Sequence, residues 1–166
     1  MTAVLSDRAF LHGPPSAVWA IIHDPLALQR VLPGAETIEA TGPTSFRGVL
    51  ATRIQFLTVR ADVEATLVDA DPPRHVVLRL QGRPHGLAGS FVLFVPFDLE
   101  AAADPAGSGQ GTTATYAVDL TVTGRIASFG VPLLRDTLRR VISTLVANVD
   151  TELRGASTGA PEAEPM

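Results

Sequence analysis

The sequence predicts an α+β fold in which a curved antiparallel sheet of about seven strands wraps around a long C-terminal helix, with two short helices after the first strand. Three observations favour this fold class. Residues 3–11 read as a strand and are followed by helical segments up to Leu32. Residues 36–122 then alternate with a period of two, with turn signals between the runs. From Arg125 the apolar period becomes helical.

The two short helices are predicted from their boundary residues. Prolines and a serine at 14–16 open the first helix, because proline suits a first turn and serine can cap. An Asp-Pro pair at 24–25 separates the two helices, with the aspartate as the cap of the second. A Pro-Gly pair at 33–34 ends the second helix. The chain therefore turns a corner there, and the sheet restarts after it.

Six strands are predicted between this corner and the last helix. Gly-Pro and Asp-Pro-Pro turns separate the first of them, and a glycine-rich loop precedes the last. Consecutive strands with short turns favour an antiparallel meander. The predicted strands are 36–41, 45–54, 58–71, 75–82, 89–103 and 112–122.

A long amphipathic helix is predicted for residues 126–153. Its apolar residues fall near one broad face, so it needs an apolar partner surface, which the concave face of a curved sheet provides. Pro132 either kinks this helix or marks where its straight part begins. The small, polar and proline-rich residues 154–166 are predicted to form a disordered tail. Residues 1–153 then form one helix-and-sheet domain.

Composition argues against several classes of protein. Hydrophobic residues make up 46% of the 166 residues and charged residues 18%, as in a globular domain. The net charge of −4 argues against binding to nucleic acid and against electrostatic docking on anionic lipid. The absence of cysteine excludes disulfides and a cysteine nucleophile. No secretory signal or transmembrane segment is apparent, which is compatible with a cytoplasmic protein.

Motifs for metal, phosphate or nucleophilic chemistry are missing from the sequence. The four histidines are scattered without metal-ligand spacing, and no GxSxG motif occurs. The loop GSGQG connects two strands rather than a strand and a helix, so it lacks the context of a phosphate cradle. We therefore expect no metal and no cofactor.

Strand parity gives better candidates. The even-numbered face of the last strand is apolar and is assigned to the concave side, which points Tyr116 inward with a hydroxyl that needs a partner or a ligand. Either Arg79 or Arg60 forms cross-strand ion pairs with Asp62 and Glu64 on a solvated face, or Arg79 anchors a polar group inside a cavity. His85 is either an exposed turn residue or a proton carrier at the cavity mouth.

The strand at 89–103 is apolar on both faces. Phe91 and Leu93 lie on one face, and Val92 and Phe94 on the other. This pattern indicates either a contact between copies of the chain, or an extra covered face, or a core strand in a thick part of the domain.

These features together resemble a known family. The segments FLHGPPSAVWAIIHDPLALQRVLPGAETIE, LVDADPP and GTTATYAVDLTVTGRIASFG carry the resemblance, with a DP pair and an LPG motif at a distinctive spacing. Over roughly residues 3–150 the chain resembles the helix-grip superfamily (START-like or Bet v 1-like, SRPBCC), and within it the CoxG family of carbon monoxide dehydrogenase subunits. The resemblance implies a small bacterial accessory protein that binds a lipid-like or quinone-like molecule or assists a molybdenum-hydroxylase-type oxidoreductase.

The preferred interpretation is a non-enzymatic binding module with a cavity between the sheet and the last helix. A cyclase- or dehydratase-like enzyme would use the same cavity with Tyr116, His85, Arg79 or Asp119 as acid–base groups, and an assembly factor would have a collapsed cavity. A monomer or weak homodimer is expected in the cytoplasm, with an oxidoreductase complex or a membrane lipid pool as partner and transient membrane association left open. The predicted ligand-binding residues are Trp19, Leu32, Arg79, His85, Phe91, Leu93, Tyr116, Phe129 and Leu133.

Overall fold

The computed structural model describes residues 3–107 and 109–163 and has the predicted α+β architecture. Seven strands form one antiparallel sheet in the order β1-β7-β6-β5-β4-β3-β2, so the six strands after the helices form a meander and β1 joins it beside β7. The elements are β1 (Ala3–Leu11), α1 (Pro15–His23), α2 (Pro25–Val31), β2 (Ala35–Gly42), β3 (Ser45–Ile54), β4 (Leu57–Asp71), β5 (His75–Pro84), β6 (Gly89–Ala103), β7 (Gln110–Gly124), a 3₁₀ helix (Arg125–Phe129) and α3 (Val131–Ala163).

The helices α1 and α2 begin as their boundary residues predict. Pro15 occupies the first turn of α1, although no side chain caps this helix. Asp24 caps α2, because its carboxylate accepts a hydrogen bond of 3.1 Å from the backbone N–H of Leu26. The prediction of two short helices joined at the Asp-Pro pair is therefore confirmed.

Gly34 allows the chain to turn from α2 into the sheet. Its φ of +79° lies in the left-handed region that favours glycine. A Cβ at this position would stand 1.9 Å from the carbonyl oxygen of Ala51, so β3 approaches the corner too closely for any side chain. The corner is thus set by backbone conformation and by contact with β3 together.

The helix α3 starts at Val131, so Pro132 lies in its first turn and marks its beginning. It reaches Ala163, whereas the sequence predicted a disordered tail from residue 154. Propagation adds one hydrogen bond per residue once a helix exists, which explains how the backbone continues past the buried Leu153. Residues 164–166 lie outside the described residues. That the segment from 154 onward lies outside the packed domain stays a prediction.

The core lies between the concave face of the sheet and the helices. At one end of the domain, α1 and α2 pack with the buried Leu153 of α3. In the middle, Val118 of β7 packs with Ile142 of α3. At the other end, Leu134 of α3 packs with Ile54 of the β3–β4 hairpin. Among the described helices, none is long and apolar enough to cross a membrane.

Candidate functional site

The concave face of the sheet is apolar across its middle strands. Leu80 of β5 lies opposite Leu93 of β6, which in turn lies opposite Leu120 of β7, so the three side chains share a face. The same face carries Val118, which packs with Leu138 of α3, so it is the face that α3 covers. We call the following residues at its centre the interior patch: Leu80, Phe91, Leu93, Phe97, Tyr116, Leu120 and Val122.

Solvent reaches part of the interior patch although α3 lies over it. Val95 and Val118 are 6% and 0% exposed, whereas Leu80, Leu93 and Leu120 are only half-buried. Among the strands, α3 comes closest to β1 and β3, which lie towards opposite edges of the sheet. The helix therefore spans the curved sheet and leaves apolar surface on the middle strands that a ligand can cover.

A cleft opens beside this space, between α3 and β3. Its volume is about 170 Å³, and its walls include Gly34 of the corner, Arg53 of β3 and Arg140 of α3. The Arg140 guanidinium donates a hydrogen bond to the backbone carbonyl of Arg53, which connects helix and strand at the cleft. A second cleft of about 300 Å³ lies around Glu64 and Gln81, whose side chains point to the convex side. The first cleft follows the middle turns of α3, where Val141 and Thr144 complete its wall, and neither cleft is lined by Leu80, Leu93 or Leu120.

Tyr116 places one polar group in the interior patch. Tyr116 is 8% exposed, and the centroid of its ring lies 6.1 Å from that of Phe97. The Tyr116 hydroxyl forms no hydrogen bond with any residue that the structure describes, and it is not fully enclosed. Burial, and then the charge of Asp7 opposite it on β1, raise the pKa of the hydroxyl. The phenol is therefore neutral at physiological pH and free to donate a hydrogen bond to a ligand.

Phe91 and Gly82 form a matched pair at the border of the interior patch. They lie opposite each other on β6 and β5. A Cβ on Gly82 would stand 2.1 Å from Cζ of Phe91, so the aromatic ring covers the glycine. The missing side chain thus makes room for the ring, and the ring fills the gap that the glycine leaves.

The remaining apolar residues of the predicted set lie at the two ends of this space. Trp19 of α1 packs with Phe46 and other core residues at one end. Phe129 and Leu133 pack near Leu120 at the other end, where α3 begins. Leu32 is half-buried at the end of α2, next to the corner that lines the cleft. The structure therefore brings Phe91, Leu93, Tyr116, Phe129 and Leu133 towards one space, with Trp19 and Leu32 at its periphery.

Arg79 and His85 lie away from this space, contrary to their predicted place among the ligand-binding residues. Arg79 alternates with Leu78 and Leu80, so it points to the convex face, where its guanidinium carbon lies 5.7 Å from the ring centroid of Phe94. His85 lies in the β5–β6 turn, and its Nε2 is 2.8 Å from a carboxylate oxygen of Asp62.

The ion pairs predicted for the convex face also differ from those observed. The guanidinium of Arg60 donates to Glu36 at 2.8 Å instead of pairing with Asp62 or Glu64. The physical reason is the sheet order: β2 turns back along β3, so the side chain of Glu36 comes within reach of β4. The second apolar face of β6 is half-buried on this side, and a contact there between copies of the chain stays a prediction.

A charged cluster that the sequence did not indicate joins the end of β1 to α3. The His12 ring Nδ1 lies 2.8 Å from Asp150, and its Nε2 lies 3.3 Å from Asp104. The backbone N–H of His12 also donates to Asp150 at 2.8 Å, and Arg154 lies 3.2 Å from the same carboxylate. His12, Asp104 and Asp150 are far apart along the chain, so no local spacing could have indicated the cluster.

The ionisation of Asp150 depends on the hydrogen-bond donors and charges around its carboxyl group. Burial alone would raise the pKa of this carboxyl group, but the hydrogen bonds and charge of His12, with the charge of Arg154, outweigh burial and lower it. The carboxylate is therefore held ionised and fastens α3 to the end of β1.

The curved sheet, the helix across its concave face and the apolar space between them define a helix-grip protein. The chain belongs to the CoxG family of carbon monoxide dehydrogenase subunits, whose family model matches residues 11–154. Among curated protein sequences, none matches this chain.

Solved structures share the fold over nearly the whole chain. A conserved protein from Geobacillus kaustophilus is 23% identical with a TM-score of 0.77, and the match covers 90% of this chain and 93% of that one. A START superfamily protein from Mycobacterium smegmatis is 11% identical with a TM-score of 0.66, covering 92% and 97%. The Zhui aromatase/cyclase from Streptomyces sp. R1128 is 13% identical with a TM-score of 0.61, covering 91% and 93%. These likenesses show the fold alone.

Proposed function

We propose that this protein binds an apolar small molecule, lipid-like or quinone-like, between the interior patch and α3. The observation that carries the proposal is the half-buried state of Leu80, Leu93 and Leu120 under a covering helix. Apolar surface that stays in contact with water gains roughly 25 cal/mol per Å² when a ligand covers it. The first cleft, between α3 and β3, lies beside this space and would give the ligand a way in.

Tyr116 would orient the ligand. Its hydroxyl lies among apolar side chains, stays protonated near neutral pH and has no partner among the described residues. A neutral phenol donates a hydrogen bond well to a carbonyl oxygen, such as that of a quinone or an ester. One such bond fixes orientation, while burial of the apolar part supplies affinity.

Membership in the CoxG family supports a role as an accessory to an oxidoreductase of the carbon monoxide dehydrogenase or molybdenum-hydroxylase type. In this role the protein would hold or deliver an apolar molecule and would not transform it. A cytoplasmic location and a monomer or weak homodimer remain part of this proposal.

The enzymatic alternative has weaker support in the arrangement of titratable groups. A cyclase-like mechanism needs an acid and a base that face each other across the pocket. Of the four groups that the sequence offered, Tyr116 lies on the concave face, while Arg79 and Asp119 lie on the convex face and His85 lies in a turn. Because these four groups do not share the concave face, their positions weigh against a mechanism that uses them on one substrate in the interior.

An assembly factor with a filled interior is the second candidate, and one observation favours it. Neither of the two clefts described above is lined by Leu80, Leu93 or Leu120 of the interior patch. Such a protein would act through its surface and would bind no apolar molecule inside.

The test loads the purified protein with a bacterial lipid extract, removes free lipid by gel filtration and identifies bound molecules by solvent extraction and mass spectrometry. Leu93→Phe, which fills the space under α3, is compared with Val92→Phe, the adjacent position on the opposite face. We expect stoichiometric loading of the wild type and Val92→Phe, and little loading of Leu93→Phe. Equal loading of the two variants, or an empty wild type, would contradict the interior site, provided that both variants keep the wild-type circular dichroism spectrum.

A further inference from the structure

Exposed apolar side chains lie at the end of the molecule opposite α1 and α2. Phe56, at the turn of the β3–β4 hairpin, is 91% exposed. Leu57 beside it and Val131 at the start of α3 are 47% and 48% exposed. The hairpin and the helix start are neighbours, because Ile54 packs with Leu134. Of the four large apolar side chains that are exposed in the described part of the chain, three therefore lie at this one end.

The same end is rich in arginine. Three carboxylates near this end are engaged in ion pairs, because Glu36 pairs with Arg60, Asp62 with His85, and Asp136 with Arg139. By contrast, no carboxylate of the described residues lies within ion-pair distance of Arg53 or Arg140, the two arginines that line the cleft beside the hairpin. We call this the basic end, and its arginines are Arg53, Arg60, Arg83, Arg125, Arg139 and Arg140.

Carboxylates collect at the opposite end, where α1, α2 and the last described turns of α3 lie. Arg30, Arg74 and Arg154 are the arginines there, and each is already paired with a carboxylate. We call this the acidic end, and its carboxylates are Asp24, Asp69, Asp71, Asp98, Glu100, Asp104, Asp150 and Glu152. The chain therefore carries opposite charge at the two ends of its strands, which orients it in the field of a charged surface.

We propose that the basic end docks on the surface of an anionic lipid bilayer, with Phe56 and Leu57 inserted among the headgroups and Arg53 and Arg140 beside the phosphates. An aromatic side chain at the tip of a protruding hairpin can enter a fluid interface without a matching pocket, and aromatic and aliphatic residues are favoured at this depth. Arg53 and Arg140 donate to backbone carbonyls and pair with no carboxylate of the described residues, so their charges add attraction to the negative surface, while the acidic end faces away from it.

This orientation also places the cleft between α3 and β3 at the bilayer, because Arg53 and Arg140 form part of its wall. An apolar molecule could then pass between the bilayer and the interior patch without crossing bulk water. The docking itself does not depend on the proposed function, since it concerns only the outer surface of the basic end.

The experiment measures co-sedimentation of the full chain with vesicles of phosphatidylcholine alone and of phosphatidylcholine mixed with phosphatidylglycerol. We expect binding to the mixed vesicles that weakens as salt rises. Phe56→Ser should weaken this binding about tenfold through lost apolar contact. Arg53→Gln should weaken it about fivefold, as one arginine near an anionic surface does.

Matched controls come from the acidic end. Leu26 is 70% exposed on α2, and Arg74 is exposed in the β4–β5 turn, so Leu26→Ser and Arg74→Gln make the same chemical changes away from the proposed contact. Both should bind like the wild type. The proposal is overturned if the wild type does not bind the mixed vesicles, or if the control variants lose as much binding as their counterparts. Because no interior ligand is needed, such a failure would leave the proposed function standing.

Discussion

At the scale of single residues, the hydroxyl of Tyr116 is the polar group on which ligand orientation depends. It is also the only tyrosine in the chain, so its ionisation can be followed directly by ultraviolet absorbance. Its position was predictable, because the even-numbered residues of β7 form one apolar face and the period of two fixes the direction of each side chain.

We predict that Tyr116 titrates above the ordinary tyrosine pKa of about 10. Burial is the larger cause and the charge of Asp7 the smaller, so Asp7→Asn should lower the pKa only in part. A group whose folded-state pKa is raised stabilises the fold below its unfolded pKa, and this stability is lost as pH rises through the folded pKa. The wild type should therefore lose stability as the pH rises above about 10, and Tyr116→Phe should not show this loss.

The control is Asp119→Asn on the convex face, which should leave the titration of Tyr116 unchanged. A titration at or below the ordinary value would mean that the hydroxyl is solvated, and it would remove the basis for a ligand-orienting role.

Asp150 gives a second prediction at this scale, with the opposite sign. Its pKa is lowered despite burial, so its contribution to stability is present above the unfolded value of about 3.9 and is lost as pH falls through the folded pKa. Asp150→Asn should lower the free energy of unfolding by about 1–2 kcal/mol near neutral pH, since hydrogen bonds to a charged group are lost. The difference from the wild type should shrink below about pH 4.

Asp98→Asn is the matched control for this experiment. Asp98 also lies 2.8 Å from a histidine Nδ1, that of His75, but its side chain is 63% exposed. Exposed ion pairs contribute little, so this variant should unfold close to the wild type in urea. An equal loss in the two variants would show that the His12 cluster has no special role in holding α3.

At the scale of elements, the corner after α2 illustrates how much the sequence could predict. The Pro-Gly pair at 33–34 predicted the end of the helix and the start of the sheet, and the structure confirms both. The sequence did not show that the carbonyl oxygen of Ala51 on β3 lies too close to Gly34 for a Cβ to fit, because that contact joins residues distant along the chain.

We predict that Gly34→Ala lowers the free energy of unfolding by at least about 2 kcal/mol, through both an unfavourable φ and a collision with Ala51. Gly86→Ala separates the two causes. Gly86 has a similar φ of +72° but nothing within 4 Å of a Cβ, so its alanine variant should lose only about 1 kcal/mol. Similar losses in thermal unfolding of the two variants would argue against the close approach of β3.

Strands that mix apolar and charged residues on one face limited the prediction of the site. On β5 the period of two left Arg79 with two interpretations, because the neighbouring Val77 and Gln81 do not mark one face as polar. The position of Arg79 opposite Phe94 shows that its side chain lies on the convex face. That position depends on the register between β5 and β6, which the sequence of one strand does not specify. His85 was equally ambiguous, since turn residues have no fixed face.

At the scale of the whole molecule, the net charge does not describe how charge is distributed over the surface. The value of −4 argued against docking on anionic lipid, yet it averages an arginine-rich end and a carboxylate-rich end. The fold, the number of strands and the position of α3 followed from the order of periodic segments. The separation of charge did not, because it depends on which turns the antiparallel sheet brings to each end.

We predict that the chain beyond Gly155 is dispensable for stability. Leu153 is the last side chain known to be buried in α3, and it contacts the end of β1. A protein that stops after Gly155 should unfold at the temperature of the full chain. A clear fall in the melting temperature would show that the segment after Gly155 packs on the domain, against the domain boundary predicted from the sequence.

The central claim is that an apolar molecule occupies the space under α3. The measurement that tests it most directly is a native mass spectrum of the full chain as purified from a bacterial lysate, followed by solvent extraction of the same sample. The account predicts the mass of the protein plus one apolar molecule, recovered in the extract at close to one equivalent. A bare protein mass, unchanged after incubation with lipid extract, would contradict it and would favour an assembly factor with a filled interior.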